Sequence, residues 1–83
     1  MSASVIDKVR EFIFATYPVA DRSIVTDDAS LPDLGVMDST GYLELFDWLK
    51  ADMGIDVRDD EMNTENFESI RRIADFIARR AAA

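Results

Sequence analysis

The sequence contains neither cysteine nor histidine among its 83 residues. A chain without cysteine can form no disulfide and no thiolate metal site. The absence of histidine removes the usual general base, the usual nitrogen ligand of zinc and any Ser-His-Asp relay. Catalysis by the chain itself would therefore need an unusual arrangement of groups.

Positive charge is also scarce. Nine lysine and arginine residues stand against 17 acidic residues, which gives a formal net charge of −8. The resulting field repels nucleic-acid backbones and anionic lipid, so we expect no nucleic-acid partner and no membrane partner. A hydrophobic content of 48% with 31% charged residues is typical of a folded domain rather than a disordered acidic tail. We expect the acidic surface to meet basic protein partners.

Long apolar runs are absent as well. No segment reaches the roughly 18 apolar residues that a membrane span needs, and Met1-Ser2-Ala3-Ser4 lacks the basic start of a signal peptide. We therefore expect a cytoplasmic protein. The length fits one small domain over residues 1–83 with a modest core, and we expect a monomer.

Hydrophobic periodicity predicts an amphipathic first helix that Ser4 caps and Pro18 ends. Residues 18–37 show no sustained helical period, and they predict a long loop with a sharp turn at Gly35. The apolar residues of this loop are expected to be partly buried and to tether it to the core: Ile24, Val25, Leu31 and Leu34.

A second helix is predicted from Asp38 or Ser39, both good N-caps, to about Met53, with Gly54 as its left-handed stop. Its two faces differ in character. The predicted core face carries apolar side chains, with Leu43 at its margin: Tyr42, Leu45, Phe46, Leu49 and Met53. The opposite, acidic face includes the only tryptophan: Thr40, Glu44, Asp47, Trp48 and Ala51.

After a short extended link, Thr64-Glu65-Asn66-Phe67 predicts one short helical turn anchored by Phe67. A last helix is predicted from Glu68 or Ser69, with apolar residues at core spacing: Ile70, Ile73, Ala74, Phe76 and Ile77. The predicted fold is all-α. It is a small four-helix bundle of three main helices and one short helix, with a long loop after the first helix.

Ser39 is the most informative polar residue. Asp38 and Ser39 alone would be read as an ordinary helix cap. No base other than the Asp38 carboxylate is near enough in the sequence to activate the hydroxyl, so we interpret Ser39 as a substrate rather than a catalyst. A phosphodiester attached there would lie at a helix N-terminus, where unpaired backbone N–H groups favour anions.

An ordered set of motifs places this serine in a wider context. A first amphipathic helix and a long loop closing on Leu34-Gly35 precede Asp38-Ser39, and Gly54-Ile55 and Asn66-Phe67-Glu68-Ser69-Ile70 follow it. This order resembles the phosphopantetheine-dependent carrier proteins, which hold acyl, aminoacyl or peptidyl cargo as thioesters. The resemblance extends over nearly the whole chain. Asp-Ser alone is a weak motif, but the ordered set at these spacings is specific.

The resemblance implies that Ser39 accepts 4′-phosphopantetheine from coenzyme A, and that Asp38 belongs to the recognition site. The expected partners are a phosphopantetheinyl transferase, a loading ligase or acyltransferase, and downstream biosynthetic enzymes. It also implies that the domain is not an enzyme and has no standing metal site.

Some residues depart from the usual pattern of fatty-acid carriers. Those carriers have leucine after the serine, whereas this chain has Thr40 and Gly41, with Lys50 and Trp48 later in the same helix. The resemblance is therefore closer to free-standing carriers of specialised metabolism or aminoacyl transfer. The alternatives are an acyl carrier of fatty-acid synthesis and an unmodified acidic helical adaptor. A small enzyme is a further alternative, although no histidine, cysteine or phosphate loop favours it.

Several features of the sequence allow two interpretations. Trp48 either anchors a partner or packs under the first loop, and Glu44 and Asp47 are either docking residues or a solvated helix face. Tyr42 and Phe46 are interpreted as core rather than as a cargo pocket, together with Met53. The acidic run near residue 60 is interpreted as a solvated charge run rather than a cation site, because it lacks the spacing of a calcium loop: Asp56, Asp59, Asp60 and Glu61.

Overall fold

The computed structural model describes residues 4–17, 19 and 21–82. Four α-helices follow one another: α1 (Val5–Thr16), α2 (Ser39–Met53), α3 (Thr64–Phe67) and α4 (Ile70–Ala82). Two short 3-10 turns, Arg22–Ile24 and Asp59–Glu61, interrupt the connections, and no strand occurs in the described ranges. The predicted all-α bundle of three main helices and one short helix is confirmed.

Local capping explains where the helices begin and end. The Ser4 hydroxyl accepts a hydrogen bond from the backbone N–H of Asp7 at 3.2 Å, and the Asp38 carboxylate caps α2. Gly54 stops α2 in the left-handed conformation, with φ of 68°. These three predictions are confirmed. Pro18, which was predicted to end α1, lies outside the described residues.

The core forms where α1 and α3 pack against α4. The apolar positions predicted for α4 are all buried there. The largest fully buried side chains come from three of the helices and the first loop: Phe76, Ile13, Leu31, Leu45, Leu49, Ile70, Ile73, Val9 and Val25. Their burial supplies most of the favourable free energy of folding, at about 1.5–3 kcal/mol for each large apolar side chain.

Only two of the four apolar residues that were predicted to anchor the first loop are buried. Val25 and Leu31 are buried as predicted, but Ile24 is 50% exposed and Leu34 is 38% exposed. The prediction is wrong for these two residues. The 3-10 turn directs Ile24 outward, and the turn that closes on Gly35 brings Met37 into the core, where only 3% of it stays exposed.

Ion pairs and backbone hydrogen bonds also anchor this loop. Arg10 of α1 pairs with Asp27 and donates to the carbonyl of Val25 at 3.0 Å. The Arg71 side chain donates to the Asp28 carboxylate at 2.6 Å, and its backbone N–H donates to the carbonyl of Asp27 at 2.8 Å. The loop is therefore held between α1 and the start of α4, and its last residues lead directly into α2.

Candidate functional site

Ser39 lies at the exposed beginning of α2. The chain approaches it through the turn at Gly35, whose φ of 72° is the left-handed conformation that glycine adopts without strain. The Asp38 carboxylate accepts a hydrogen bond from the backbone N–H of Gly41 at 2.8 Å. Asp38, Ser39 and Thr40 are all exposed. The Ser39 hydroxyl is thus presented to solvent by a capped, well-defined first helical turn.

A contact between α1 and α2 holds this first turn in place. The Tyr17 hydroxyl donates to the carbonyl of Gly41 at 2.6 Å. Gly41 is buried, and a Cβ atom added there would meet the Tyr17 ring at 3.2 Å. Gly41 therefore allows a close approach of α1. This role of Gly41 was not predicted, although a glycine in the first turn of a helix that it destabilises is a signal for close packing.

The environment of Tyr17 keeps its hydroxyl protonated. Burial, followed by the nearby charges of Glu44 and Asp38, raises the pKa of Tyr17 to about 12. The side chain is consequently a neutral hydrogen-bond donor at neutral pH. The raised pKa of Tyr17 partly reflects the negative charge around the beginning of α2.

Beside Ser39 an open groove of about 350 Å³ runs between α2 and the segment that leads into α3. We call it the serine groove. Its lining is largely apolar and includes three aromatic rings: Pro32, Ser39, Tyr42, Phe46, Met62, Asn63, Thr64 and Phe67. The Tyr42 hydroxyl donates to the carbonyl of Phe67 at 2.7 Å, which joins the two sides of the groove.

The predicted core face of α2 is only partly a core face. Leu45 and Leu49 are fully buried, whereas Tyr42 and Phe46 are half-buried, pack on the core and also line the serine groove. The interpretation of these aromatic residues as core is therefore correct only in part, because both pack on the core and also line the serine groove. Met53 is also half-buried, but it does not line the serine groove.

The outer wall of the serine groove is fixed by charged groups. Glu61 accepts a hydrogen bond from the backbone N–H of Arg58 at 2.9 Å and pairs with Arg80 of α4 at 2.5 Å. These contacts, the Arg58 N–H first, lower the pKa of the Glu61 carboxyl. Asp60 pairs with Arg58 at 2.9 Å. These two acidic side chains of the run therefore serve ion pairs within the fold.

The predicted partner face is brought together on one side of α2. Thr40, Glu44, Asp47 and Ala51 are exposed there. Trp48 is different, because it is half-buried and stacks on Phe12 of α1, with ring centroids 4.6 Å apart and an angle of 19° between the planes. The alternative that placed it under the first loop is wrong, and part of the ring remains accessible.

The two titratable side chains that hold the first turn of α2 both have hydrogen-bond partners at Gly41. The Asp38 carboxylate is engaged by the Gly41 N–H, and the Tyr17 hydroxyl is engaged by the Gly41 carbonyl. In the part of the chain that the structure describes, no group of three or more acidic side chains is arranged to hold a metal ion.

No helix in the described ranges is both long enough and apolar enough to cross a membrane. The sequence matches no protein-family model, and a comparison with curated proteins gives no significant match.

Proposed function

We propose that the chain is a carrier domain of specialised metabolism that holds acyl or aminoacyl intermediates as thioesters on a 4′-phosphopantetheine arm attached to Ser39. The observation that carries the proposal is the position of an exposed serine at the edge of an apolar groove. The sequence resemblance to carrier proteins indicates which group would be attached to this serine. When attached, the arm supplies a thiol that forms the thioester.

The residues around Ser39 fit an attached phosphodiester. Ser39 is in the first turn of α2, where backbone N–H groups and the helix dipole favour an anion. Because Asp38 already bonds the Gly41 N–H, the turn keeps its shape without the modification. In the transfer, the Ser39 oxygen bonds to the diphosphate phosphorus of coenzyme A that carries the pantetheine arm, and the bond from this phosphorus to the bridging oxygen breaks. Adenosine 3′,5′-bisphosphate leaves with the bridging oxygen, and a base of the transferase takes the hydroxyl proton.

The serine groove fits a small apolar cargo. Its volume of about 350 Å³ falls at the lower end of ligand sites, which span roughly 300–1,000 Å³. Tyr42, Phe46 and Phe67 provide apolar surface, and the exposed Met62 forms a flexible edge. A short acyl chain or an amino-acid side chain can be shielded there from water.

The partner face supports docking of basic enzymes. Thr40, Glu44, Asp47 and Ala51 lie on the same helix as Ser39, with Trp48 at the edge of this surface. Complementary charge speeds the encounter of two proteins more than it raises their affinity. We therefore assign to this face the binding of the transferase, the loading ligase or acyltransferase, and the downstream biosynthetic enzymes.

Mass spectrometry tests the modification. After incubation with coenzyme A and a phosphopantetheinyl transferase of broad specificity, the chain should gain one phosphopantetheinyl mass on Ser39. Ser39→Ala should show no gain, and Ser23→Ala, which alters another exposed serine, should be modified normally. Absence of the mass gain with several transferases would contradict the carrier function and favour the unmodified acidic adaptor.

Loading kinetics test the partner face. Glu44→Lys combined with Asp47→Lys should slow transfer to Ser39 and make its rate less sensitive to salt. The matched control is Glu65→Lys combined with Asp75→Lys, which changes the net charge equally at exposed positions of α3 and α4. Equal slowing in both variants would show that net charge, not this face, governs the encounter.

A further inference from the structure

A second groove lies on the other side of α2, against α1. It has a volume of about 660 Å³, and we call it the tryptophan groove. Residues from both helices line it: Lys8, Glu11, Phe12, Trp48, Ala51, Asp52 and Met53. The serine groove has none of these residues in its lining.

The groove results from the way in which α1 and α2 separate. The two helices run antiparallel, since Tyr17 meets Gly41 and Phe12 stacks on Trp48. At Gly41 the approach is so close that no Cβ fits without displacing the Tyr17 ring. Toward Lys8 and Asp52 the helices leave open space instead. The Phe12 and Trp48 rings form the floor of this space, and both rings are only half-buried.

The charges around the groove lack partners within the fold. Glu11 and Asp52 line it, and Glu44 and Asp47 flank it on α2. In the described ranges none of these four carboxylates forms an ion pair, whereas Asp27, Asp28, Asp60 and Glu61 all pair with arginines. Lys8 is the one basic side chain in the lining. Most other acidic side chains of the described residues are unpaired as well, so what distinguishes the groove is that its unpaired carboxylates lie beside two accessible aromatic rings.

We propose that the tryptophan groove binds an amphipathic helix of a partner protein, which carries one bulky apolar side chain onto the Phe12–Trp48 floor and basic side chains toward Glu11 and Asp52. A groove between two helices accepts a third helix by its apolar face. Half-buried aromatic rings surrounded by polar residues have the composition of an interface anchor. The unpaired carboxylates select a basic partner.

The groove is far enough from Ser39 to act separately from it. Trp48 follows Ser39 by nine residues in one continuous helix, which places it about 14 Å farther along the axis. A helix bound there leaves the Ser39 hydroxyl accessible. The groove shares Trp48 and Ala51 with the partner face, but binding of the helix requires no modification of Ser39, so it can be tested separately from the proposed carrier function.

Trp48 is the only tryptophan of the chain, and its fluorescence therefore reports the groove directly. The probe is a synthetic amphipathic peptide helix without tryptophan or tyrosine, with leucine on one face and arginine on both flanks. Titration should shift the Trp48 emission to shorter wavelength and saturate. A counterpart peptide with glutamate in place of arginine should produce no saturable shift, and Ser39→Ala should bind the basic peptide as the unaltered chain does.

Charge-reversal variants locate the binding. Glu11→Lys combined with Asp52→Lys should weaken binding about tenfold or more, because charges that attracted the peptide now repel it. The control variant, Glu65→Lys combined with Asp75→Lys, changes the net charge equally at exposed positions away from the groove. Its affinity for the peptide should change no more than about twofold, because salt at physiological concentration screens distant charges. Far-UV circular dichroism confirms that both variants fold.

Three results would overturn the proposal. Equal loss of affinity in the two charge variants would mean that the peptide responds only to net charge. Equal binding of the acidic peptide would remove the role of Glu11 and Asp52. A Trp48 emission that changes with protein concentration in the absence of peptide, together with sedimentation as a dimer, would show that a second copy of the chain occupies the groove.

Discussion

The two grooves on either side of α2 differ in how firmly their floors are built. Phe67 in the serine groove is 3% exposed and packs against both Phe46 and Phe76, at centroid distances of 5.1 and 4.9 Å. Phe12 and Trp48 in the tryptophan groove stack on each other and pack against the core from its edge, and both are only half-buried. One floor lies within the buried core, and the other packs on the edge of the core.

The edges of the two grooves also differ in how firmly their side chains are held. The wall of the serine groove is fixed by the contacts of Glu61 with Arg58 and Arg80. The edge of the tryptophan groove carries Glu11 and Asp52, which form no ion pair within the described residues. An apolar groove has the chemistry of a small-ligand site, and an acidic groove has the chemistry of a surface for a basic partner. A single helix thus borders two grooves of different chemical character.

Truncation of each floor should have the largest effect and should separate the grooves most clearly. Phe67→Ala leaves a cavity in the core, and we expect it to lower the free energy of unfolding by about 3–5 kcal/mol. Phe12→Ala removes a half-buried ring at the edge of the core, and we expect a loss of about 1–2 kcal/mol. Urea unfolding followed by far-UV circular dichroism measures both changes.

Leu43 provides the control for these truncations. It is 63% exposed on α2, so Leu43→Ala should change the free energy of unfolding by no more than about 0.5 kcal/mol. Similar losses for Phe67→Ala and Phe12→Ala would contradict the distinction between a floor within the core and a floor at its edge. A loss of native circular dichroism in Phe67→Ala without urea would agree with it, because small domains have only about 5–15 kcal/mol in total.

A smaller effect should come from the two tyrosines, one beside each groove. Burial raises the pKa of Tyr42 to about 12, with the charge of Glu68 adding to it, and that of Tyr17 is also raised to about 12. The unfolded chain loses these protons near the ordinary value of 10.0, while the folded chain keeps them. Stability is therefore fully present below pH 10 and should fall as pH rises toward about 12.

The two tyrosines are the only ones in the chain, so each phenylalanine variant leaves one to be titrated by ultraviolet absorbance. In Tyr42→Phe, adding Glu44→Gln should lower the pKa of Tyr17. In Tyr17→Phe, the same substitution should leave the pKa of Tyr42 unchanged, because Glu44 contributes to Tyr17 and Glu68 to Tyr42. A shift of both pKa values by Glu44→Gln would show that the surroundings of the two grooves are not electrically distinct.

Sequence patterns predicted the local features of this fold well. Ser4, Asp38 and Gly54 act through backbone groups within one helical turn, so their roles follow from residue type and position. The short helix at Thr64–Phe67 and the buried face of α4 followed from periodicity in the same way.

Features that depend on the placement of two elements were not predictable. Periodicity could not show that Tyr42 and Phe46, which were interpreted as core, would also line a groove beside Ser39. It could not show that Phe12 would reach Trp48 on the polar side. Ile24 and Leu34 were predicted to anchor the loop because they are apolar, but both are exposed and Met37 is buried instead. Ser39 was found from its neighbours in sequence, and its groove was not.

The smallest effect is expected at Gly41, where α1 and α2 approach most closely. Replacement of glycine by alanine in a helix ordinarily stabilises it by about 1 kcal/mol. Here the new Cβ would meet the Tyr17 ring at 3.2 Å, and the hydrogen bond of the Tyr17 hydroxyl to the Gly41 carbonyl restrains that ring. We expect the two contributions nearly to cancel, so Gly41→Ala alone should change the free energy of unfolding by less than about 1 kcal/mol.

A double-mutant cycle separates the two contributions at Gly41. In the Tyr17→Leu background no aromatic ring opposes the new Cβ, so Gly41→Ala should be more favourable there than in the unaltered chain by about 0.5 kcal/mol or more. The same substitution should alter the Trp48 emission only when Tyr17 is present, because the displaced ring moves α1 at the closed end of the tryptophan groove. Equal stabilisation of both backgrounds by Gly41→Ala would mean that the contact with Tyr17 does not hold α1 and α2 apart. The width of the tryptophan groove would then be determined by the Phe12–Trp48 stack alone.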